Sequence, residues 1–280
     1  MKRRSFTAQA ETPLAVAVAR ALGLPSAGAR ALVVRGAVYV DGRRAREGAV
    51  VRAGARVMIV LEEGGVEVVA PAASSPSLVV LYEDEDVLAL DKPPGITAQP
   101  TPGRVGDSLV DLASRHLGSP AGLVHRLDRE TSGVTLFGKH AEATARLAAA
   151  FREGRAKKAY LAVTTPGLPL EGIIDLPLSR DPSRPGRWRA SRAANGVPAV
   201  THYTRRSDDG RASLVDLFPQ TGRTHQLRAH LAGIGHPIVG DRLYGGLEGP
   251  RCLLHARQLV IDGVTFEAPV PEDLGSYFAR

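Results

Sequence analysis

The chain has 280 residues, 44% of them hydrophobic, with a formal charge of +7 and a pI near 9.9. That length suits one large or two modest domains, and the apolar fraction is ample for a buried core. Cys252 is the sole cysteine, which excludes an internal disulfide, and no apolar run approaches the roughly 18 to 20 residues needed to span a bilayer. The basic start Met1-Lys2-Arg3-Arg4 is followed by no apolar stretch, so no secretory signal is expected and a cytoplasmic location is.

Leu14, Val18 and Leu22, spaced i, i+4, i+8, predict a helix over 14–22, stopped by Gly23. A second helix is expected from Ser26 to about Val34, ended by Gly36. Val38–Val40 reads as a strand, Asp41-Gly42 as a tight turn and Arg56–Leu61 as another strand. Residues 70–77, Ala-Pro-Ala-Ala-Ser-Ser-Pro-Ser, have linker composition. They divide the chain into a small helix-helix-strand domain, 1–70, and a larger domain, 71–280.

The larger part alternates strand and helix signals. Leu78–Tyr82 and Val87–Leu90 are strand-like around the acidic turn 83–86, and Ser108–Leu117 is helical with Leu109, Leu112 and His116 on one face. Val134–Phe137 predicts a strand, Ala141–Phe151 a helix ended by Gly154, and Ala159–Val163 a strand. Thr201–Arg205 and Ser213–Leu217 read as paired strands around Asp208-Asp209-Gly210, and Thr224–Leu231 as a helix. The mixture predicts an α+β domain on a substantial, largely antiparallel sheet with flanking helices.

Charge is unevenly spread. Residues 1–80 hold 11 basic and 6 acidic side chains, 81–125 hold 3 and 7, and 178–257 hold 13 and 6. Two basic segments flanking an acidic one suit a polyanionic partner bound with salt-sensitive affinity. The stretch 180–192 places Trp188 among Arg180, Arg184, Arg187, Arg189 and Arg192. This suits RNA backbone and base stacking, or else a solvated loop.

The densest polar segment is His125-Arg126-Leu127-Asp128-Arg129-Glu130-Thr131-Ser132-Gly133. Taken alone, Asp128 or Thr131 there could simply cap a turn. A second cluster is Gln220-Thr221-Gly222-Arg223-Thr224-His225-Gln226-Leu227-Arg228, whose glycine turn leads into a helix, a place that collects anions. His225 and His230 lie five apart, so the i, i+4 pairing that aims two imidazoles at one metal is absent and no catalytic metal is expected. The sequence also lacks a nucleophile elbow, a Walker loop and a dinucleotide glycine motif.

His125–Gly133 resembles the signature His-Arg-Leu-Asp-x-x-Thr-Ser-Gly of the RluA-type pseudouridine synthases. Leu90-Asp91-Lys92-Pro93-Pro94-Gly95, Lys158-Ala159-Tyr160-Leu161-Ala162-Val163, Gly222–His230 and Gly235–Asp241 resemble further segments of that family, in its order. Together they cover about residues 78–270. Residues 12–61 resemble, less closely, the small RNA-binding domain shared with a small-subunit ribosomal protein. There Thr12-Pro13-Leu14 replaces the usual Arg-Leu-Asp, and the second helix carries only Arg30 and Arg35 as basic residues.

The resemblance implies an isomerase acting on specific uridines in structured RNA, large-subunit ribosomal RNA first and transfer RNA as the alternative. It would detach uracil from ribose at nitrogen, turn the base and rejoin it through carbon, with no redox change and so no cofactor. Asp128 is implied as the catalytic carboxylate, nucleophile or base toward the sugar. Arg126 would reach toward the space vacated by the flipped base, and Tyr160 would offer a stacking face and a phenolic oxygen. Arg223 would pair with the carboxylate, and Leu227 would floor the pocket. A monomer is expected. Two other readings stay open: a non-catalytic RNA-binding or ribosome-assembly protein on the same fold, and a nucleic-acid hydrolase.

Overall fold

The computed structural model describes residues 2–24, 26–34, 36–61, 78–100, 108–192 and 196–277. The expected linker at 70–77, with the domain boundary drawn there, and Arg35 lie outside them. The chain forms two compact units, Met1–Ser75 with Gln99–Asp111, and Pro76–Ala98 with Leu112–Arg280.

The first unit contains β1 (Lys2–Thr7), β2 (Thr12–Pro13), α1 (Leu14–Leu22), α2 (Ser26–Val34), β3 (Val38–Val40), β4 (Arg43–Arg44), β5 (Val50–Val51) and β6 (Arg56–Leu61). Leu14 and Val18 of α1 and Leu32 of α2 are buried with Val38, Val57 and Ile59, which fuses both helices and the sheet into one core. Gly23 stops α1 in the left-handed conformation, φ 66°, its N–H bonded to Ala19 O. Asp41 and Gly42, both at positive φ, make the mirror-image turn that matches strand twist. Strand β1 was not anticipated. Lys-Arg-Arg-Ser-Phe-Thr shows no apolar alternation, yet it pairs with β6 from Lys2↔Leu61 to Thr7↔Arg56.

Downstream come β7 (Val79–Glu83), β8 (Val87–Lys92), α3 (Leu109–Leu117), β9 (Gly122–Leu123), β10 (Ser132–Gly138), α4 (Ala141–Arg152) and β11 (Lys157–Thr164). Next are β12 (Glu171–Asp175), β13 (Leu178–Arg180), β14 (Trp188–Ala190), β15 (Val200–Asp208), β16 (Ser213–Pro219) and α5 (Gln226–Gly233). The chain closes with β17 (Leu254–Ile261), β18 (Val264–Glu267) and α6 (Glu272–Gly275). Ten strands form one sheet, ordered β12-β15-β16-β11-β17-β10-β8-β7, with β18 on β17 and β9 on β10. Among the described residues, only β10 and β17 pair in parallel. The other pairings are antiparallel, giving the expected mixed, largely antiparallel α+β sheet.

Strand β10 is buried along its whole length, as expected of a strand deep in a wide sheet. Leu161, Val163, Val215 and Leu217 from the sheet pack with Leu227 and Leu231 of α5, so the apolar side of that helix is fixed to the strands that carry the cleft. Gly133 permits the parallel pairing. Its φ is 112°, and a Cβ there would lie 2.2 Å from Ala256 O, a contact no side chain tolerates.

The helix expected over 108–117 starts one residue later, because Ser108 caps it: its Oγ donates to Asp111 Oδ2 at 2.6 Å and accepts from Asp111 N. Leu109 and Leu112 are buried as expected, but Ala113 completes that face. His116 stands exposed in the last turn, bonded to Glu83 Oε2 at 2.7 Å.

Candidate active site

Asp128 lies on the stretch between β9 and β10. A turn closes immediately after it, with Thr131 N–H donating to Asp128 O at 3.1 Å. The loop is tied down from below by Lys92, whose side chain is completely buried. Its Nζ donates to Pro93 O, Ile96 O and Arg129 O at 2.9, 2.9 and 3.0 Å. Burial pulls the Lys92 pKa down to about 8, against the opposing charges of Glu130 and Asp128. Arg129 adds reciprocal bonds with Gly95: its Nε donates to Gly95 O, and Gly95 N–H donates to Arg129 O, both at 2.8 Å. Upstream, His125 stacks on Phe151 and accepts the Leu136 N–H on Nε2 at 2.9 Å. Its burial, with Lys158 nearby, drives its pKa to about 3, so the ring is neutral.

Across from this loop stands the start of α5. Gln226 is buried and anchors it: Oε1 accepts from Thr221 Oγ1 and Arg223 N, and Nε2 donates to Val200 O and Thr201 Oγ1. The helix was expected from Thr224 but starts at Gln226, because His225 adopts a left-handed conformation, φ 56°, that no α-helix continues. Between loop and helix lies a cleft whose walls include Arg126, Asp128, Tyr160, Arg223, Leu227 and Arg228.

All five residues singled out in the sequence therefore line one cleft. Arg126 is exposed at its edge, Nη2 3.4 Å from Thr224 Oγ1. Tyr160 is re-aimed by a β-bulge. The β11–β17 register jumps from Ala159↔Gln258 to Tyr160↔Ala256, leaving Arg257 unpaired. Burial, aided by the charge of Asp128, raises the Tyr160 pKa, so its phenol keeps its proton at neutral pH. Leu227 is buried in the main core while facing the cleft.

The pairing expected of Arg223 is corrected. Arg223 Nε donates to Pro198 O at 3.2 Å, and the arginine on Asp128 is Arg228, with Nη1 3.3 Å from Oδ2. The same guanidinium grips Asp241 through Nε–Oδ2 at 2.7 Å and Nη2–Oδ1 at 2.8 Å. Burial opposes the charge of Arg228, but the bonds to Asp241 outweigh it and its pKa stays above the ordinary arginine value. Arg223 precedes the left-handed turn at His225, whereas Arg228 follows it on the helix, and of the two it is the helical side chain that meets Asp128.

His225, Asp241 and Tyr244 were likewise not singled out. His225 Nε2 is 3.8 Å from Asp128 Oδ2, and its Nδ1 is 3.1 Å from the Tyr244 hydroxyl. The signal that could have found Arg228 and Asp241 was their place in the two late motif segments. A buried Asp near a helical Arg invites a fork pair.

The arginine-rich stretch is a hairpin of β13 and β14, with Arg180 opposite Trp188 and its guanidinium 5.8 Å from that ring. Among the described residues, no three metal-ligating side chains converge. No helix there is long and apolar enough to cross a membrane.

A charge-paired carboxylate, a protonated phenol and a cleft carrying Arg126, Lys158, Arg223 and Arg228 against the single carboxylate of Asp128 define an enzyme site built for an anionic substrate. The model for the family RNA pseudouridylate synthase matches residues 86–233. The chain is 40% identical over 211 residues to the dual-specificity RNA pseudouridine synthase RluA of Escherichia coli K12, covering 69% of this chain and 94% of that one. It is 33% identical over 226 residues to the ribosomal large subunit pseudouridine synthase D of Nitrosomonas europaea, covering 73% of this chain and 65% of that one. Human RNA pseudouridylate synthase domain containing 1 superposes with a TM-score of 0.60 at 27% identity, over 71% of this chain and 84% of that one. The chain belongs to the RNA pseudouridine synthase family, a family of isomerases.

Proposed function

We propose that this protein isomerises specific uridines in large-subunit ribosomal RNA, with Asp128 as its catalytic carboxylate. The observation that carries this reading is the setting of Asp128. It projects into the cleft with its side chain 26% exposed, held at Oδ2 by an arginine that is itself locked on Asp241. A fixed guanidinium pairs with a carboxylate and orients it, which a nucleophile or base toward ribose requires.

The other residues divide the remaining work. A uridine must leave its stack to reach Asp128. Tyr160, protonated and presenting a flat face, receives the base by stacking, and Leu227 closes the floor. Arg126, exposed at the edge, occupies the gap left in the RNA. Arg223 and Lys158 hold phosphates on either side of the flipped nucleotide.

Large-subunit rRNA is favoured because a relative bearing that designation aligns over 73% of this chain, and a small unit resembling an RNA-binding module stands before the catalytic one. The dual specificity of the E. coli relative makes transfer RNA the second substrate to examine. Mapping pseudouridines in total RNA from cells with and without the gene tests the proposal. Loss of one or a few sites in large-subunit rRNA is expected. Loss confined to tRNA would move the substrate, and an unchanged map would overturn the reading.

A further inference from the structure

Tyr244 has no place in the reaction just outlined, yet its side chain is engaged on the ring and at the hydroxyl behind the cleft. It is buried, and its own N–H is held by Asp241 O and Oδ1 at 3.1 and 3.3 Å. Two guanidinium groups approach its ring, Arg228 at 5.0 Å and Arg187 at 5.3 Å from the centroid. Its hydroxyl accepts the backbone N–H of Trp188, from the arginine-rich hairpin, at 3.0 Å, and stands 3.1 Å from His225 Nδ1.

A phenol has one proton to give. With the Trp188 N–H on the Tyr244 oxygen, a second donor at His225 Nδ1 would leave the phenol's own proton without an acceptor, since these two are the oxygen's partners among the described residues, so that proton goes to His225 Nδ1. An Nδ1 that accepts forces a neutral imidazole to carry its proton on Nε2. The opposite tautomer would turn a ring lone pair toward the oxygen of Asp128, 3.8 Å from Nε2, lone pair against anion. Hydrogen-bond arithmetic and electrostatics thus choose the same tautomer. Burial also lowers the pKa of His225, despite the nearby Asp128 charge, which favours the neutral ring.

We propose that Tyr244 is a positioning residue that fixes His225 as a neutral Nε2–H donor aimed at Asp128 and at the oxygen of any group seated between them. The chain runs Trp188 N–H to Tyr244 Oη, Tyr244 O–H to His225 Nδ1, and His225 Nε2–H into the cleft. This ties the backbone of the β13–β14 hairpin to the side of the carboxylate. At 3.8 Å the Nε2–H does not saturate Asp128. It remains free to bond a substrate oxygen, while Arg228 keeps the direct contact. The inference rests on Asp128 being the reactive carboxylate only for its effect on turnover; the tautomer itself does not depend on it.

The test joins a spectrum and a rate. Side-chain 15N NMR of the full-length protein, with the His225 signal assigned by its loss in His225→Gln, reads the tautomer directly. The wild type is expected to show a neutral ring protonated on Nε2 near neutral pH. Tyr244→Phe keeps the ring against the two arginines and removes only the hydroxyl. It should shift His225 toward Nδ1 protonation and lower kcat about tenfold, the loss of one hydrogen bond, with KM for RNA little changed. A wild-type ring protonated on Nδ1 or on both nitrogens would overturn the proposal, as would a folded Tyr244→Phe with unaltered tautomer and kcat. Should Tyr244→Phe fail to fold, the wild-type spectrum still decides. An active Asp128→Asn enzyme would remove the proposed function while leaving the spectral result to be judged by itself.

Discussion

Arg228 serves two carboxylates at once, with Nη1 3.3 Å from Asp128 Oδ2 and Nε and Nη2 at 2.7 and 2.8 Å from Asp241. Asp241 is buried almost completely, so the fork between it and Arg228 fixes the direction in which the third nitrogen points. The Asp128 carboxylate is thus oriented from a site behind the cleft. Lysine carries the same charge as a single point and cannot fill both roles. Arg228→Lys is expected to fold, to lose about 2 kcal/mol in chemical denaturation, and to form pseudouridine about 100-fold more slowly. Wild-type turnover in a folded Arg228→Lys would refute this orientation.

Tyr160 separates stacking from proton transfer. Its phenol is held protonated by burial, so it does not ionise across the working pH range. Tyr160→Phe keeps the flat face and should retain at least about tenfold more activity than Tyr160→Leu. Steady-state rates on one RNA substrate measure this. Equal losses in both variants would mean that the hydroxyl carries the role.

Gly133 makes the approach of β10 to β17 possible. With φ at 112° and Ala256 O 2.2 Å from an added Cβ, Gly133→Ala must strain its backbone and push the strands apart. A loss of about 3 kcal/mol is expected, seen as a lower Tm or urea midpoint. A Tm unchanged within a degree or so would show that the sheet adjusts freely.

His125 links stability to acid. Its folded pKa is depressed from 6.5 to about 3, so in mild acid the unfolded chain binds a proton that the folded chain refuses. Its contribution is complete above pH 6.5 and is lost progressively as pH falls toward 3. Between about pH 6.5 and pH 4 the loss amounts to about 3 kcal/mol. His125→Gln removes the titrating ring, so its urea midpoint should fall less than that of the wild type over this interval. His255, depressed to about 4 by burial, adds a similar slope to both proteins and cancels in the comparison.

Much of this architecture could be read from residue order. Helices α1 and α2 run as their apolar spacing and glycine stops indicate, and the strands around Asp208-Asp209-Gly210 pair as anticipated. Short polar strands were not legible. β12 reads Glu-Gly-Ile-Ile-Asp and gains its partners only through β15, and β13 with β14 look like a basic loop until they pair. The cleft was legible in its membership, since Arg126, Asp128, Tyr160, Arg223 and Leu227 all line it. Its wiring was not. Which of two arginines five residues apart meets Asp128 depends on the left-handed turn at His225, a backbone choice no spacing rule reveals. Lys92 stands out in the sequence only as part of a motif segment, and its three carbonyl partners, up to 37 residues away along the chain, appear only in the fold.

The central claim is that the Asp128 carboxylate does the chemistry while its surroundings hold RNA and base. Asp128→Asn keeps the size and shape of the side chain and removes its charge. The decisive measurement is pseudouridine formed in a single turnover on large-subunit rRNA, alongside the Kd of the same variant for that RNA. Product formation should fall to background with Kd within a few-fold of wild type. Pseudouridine accumulating in the Asp128→Asn reaction would contradict the account.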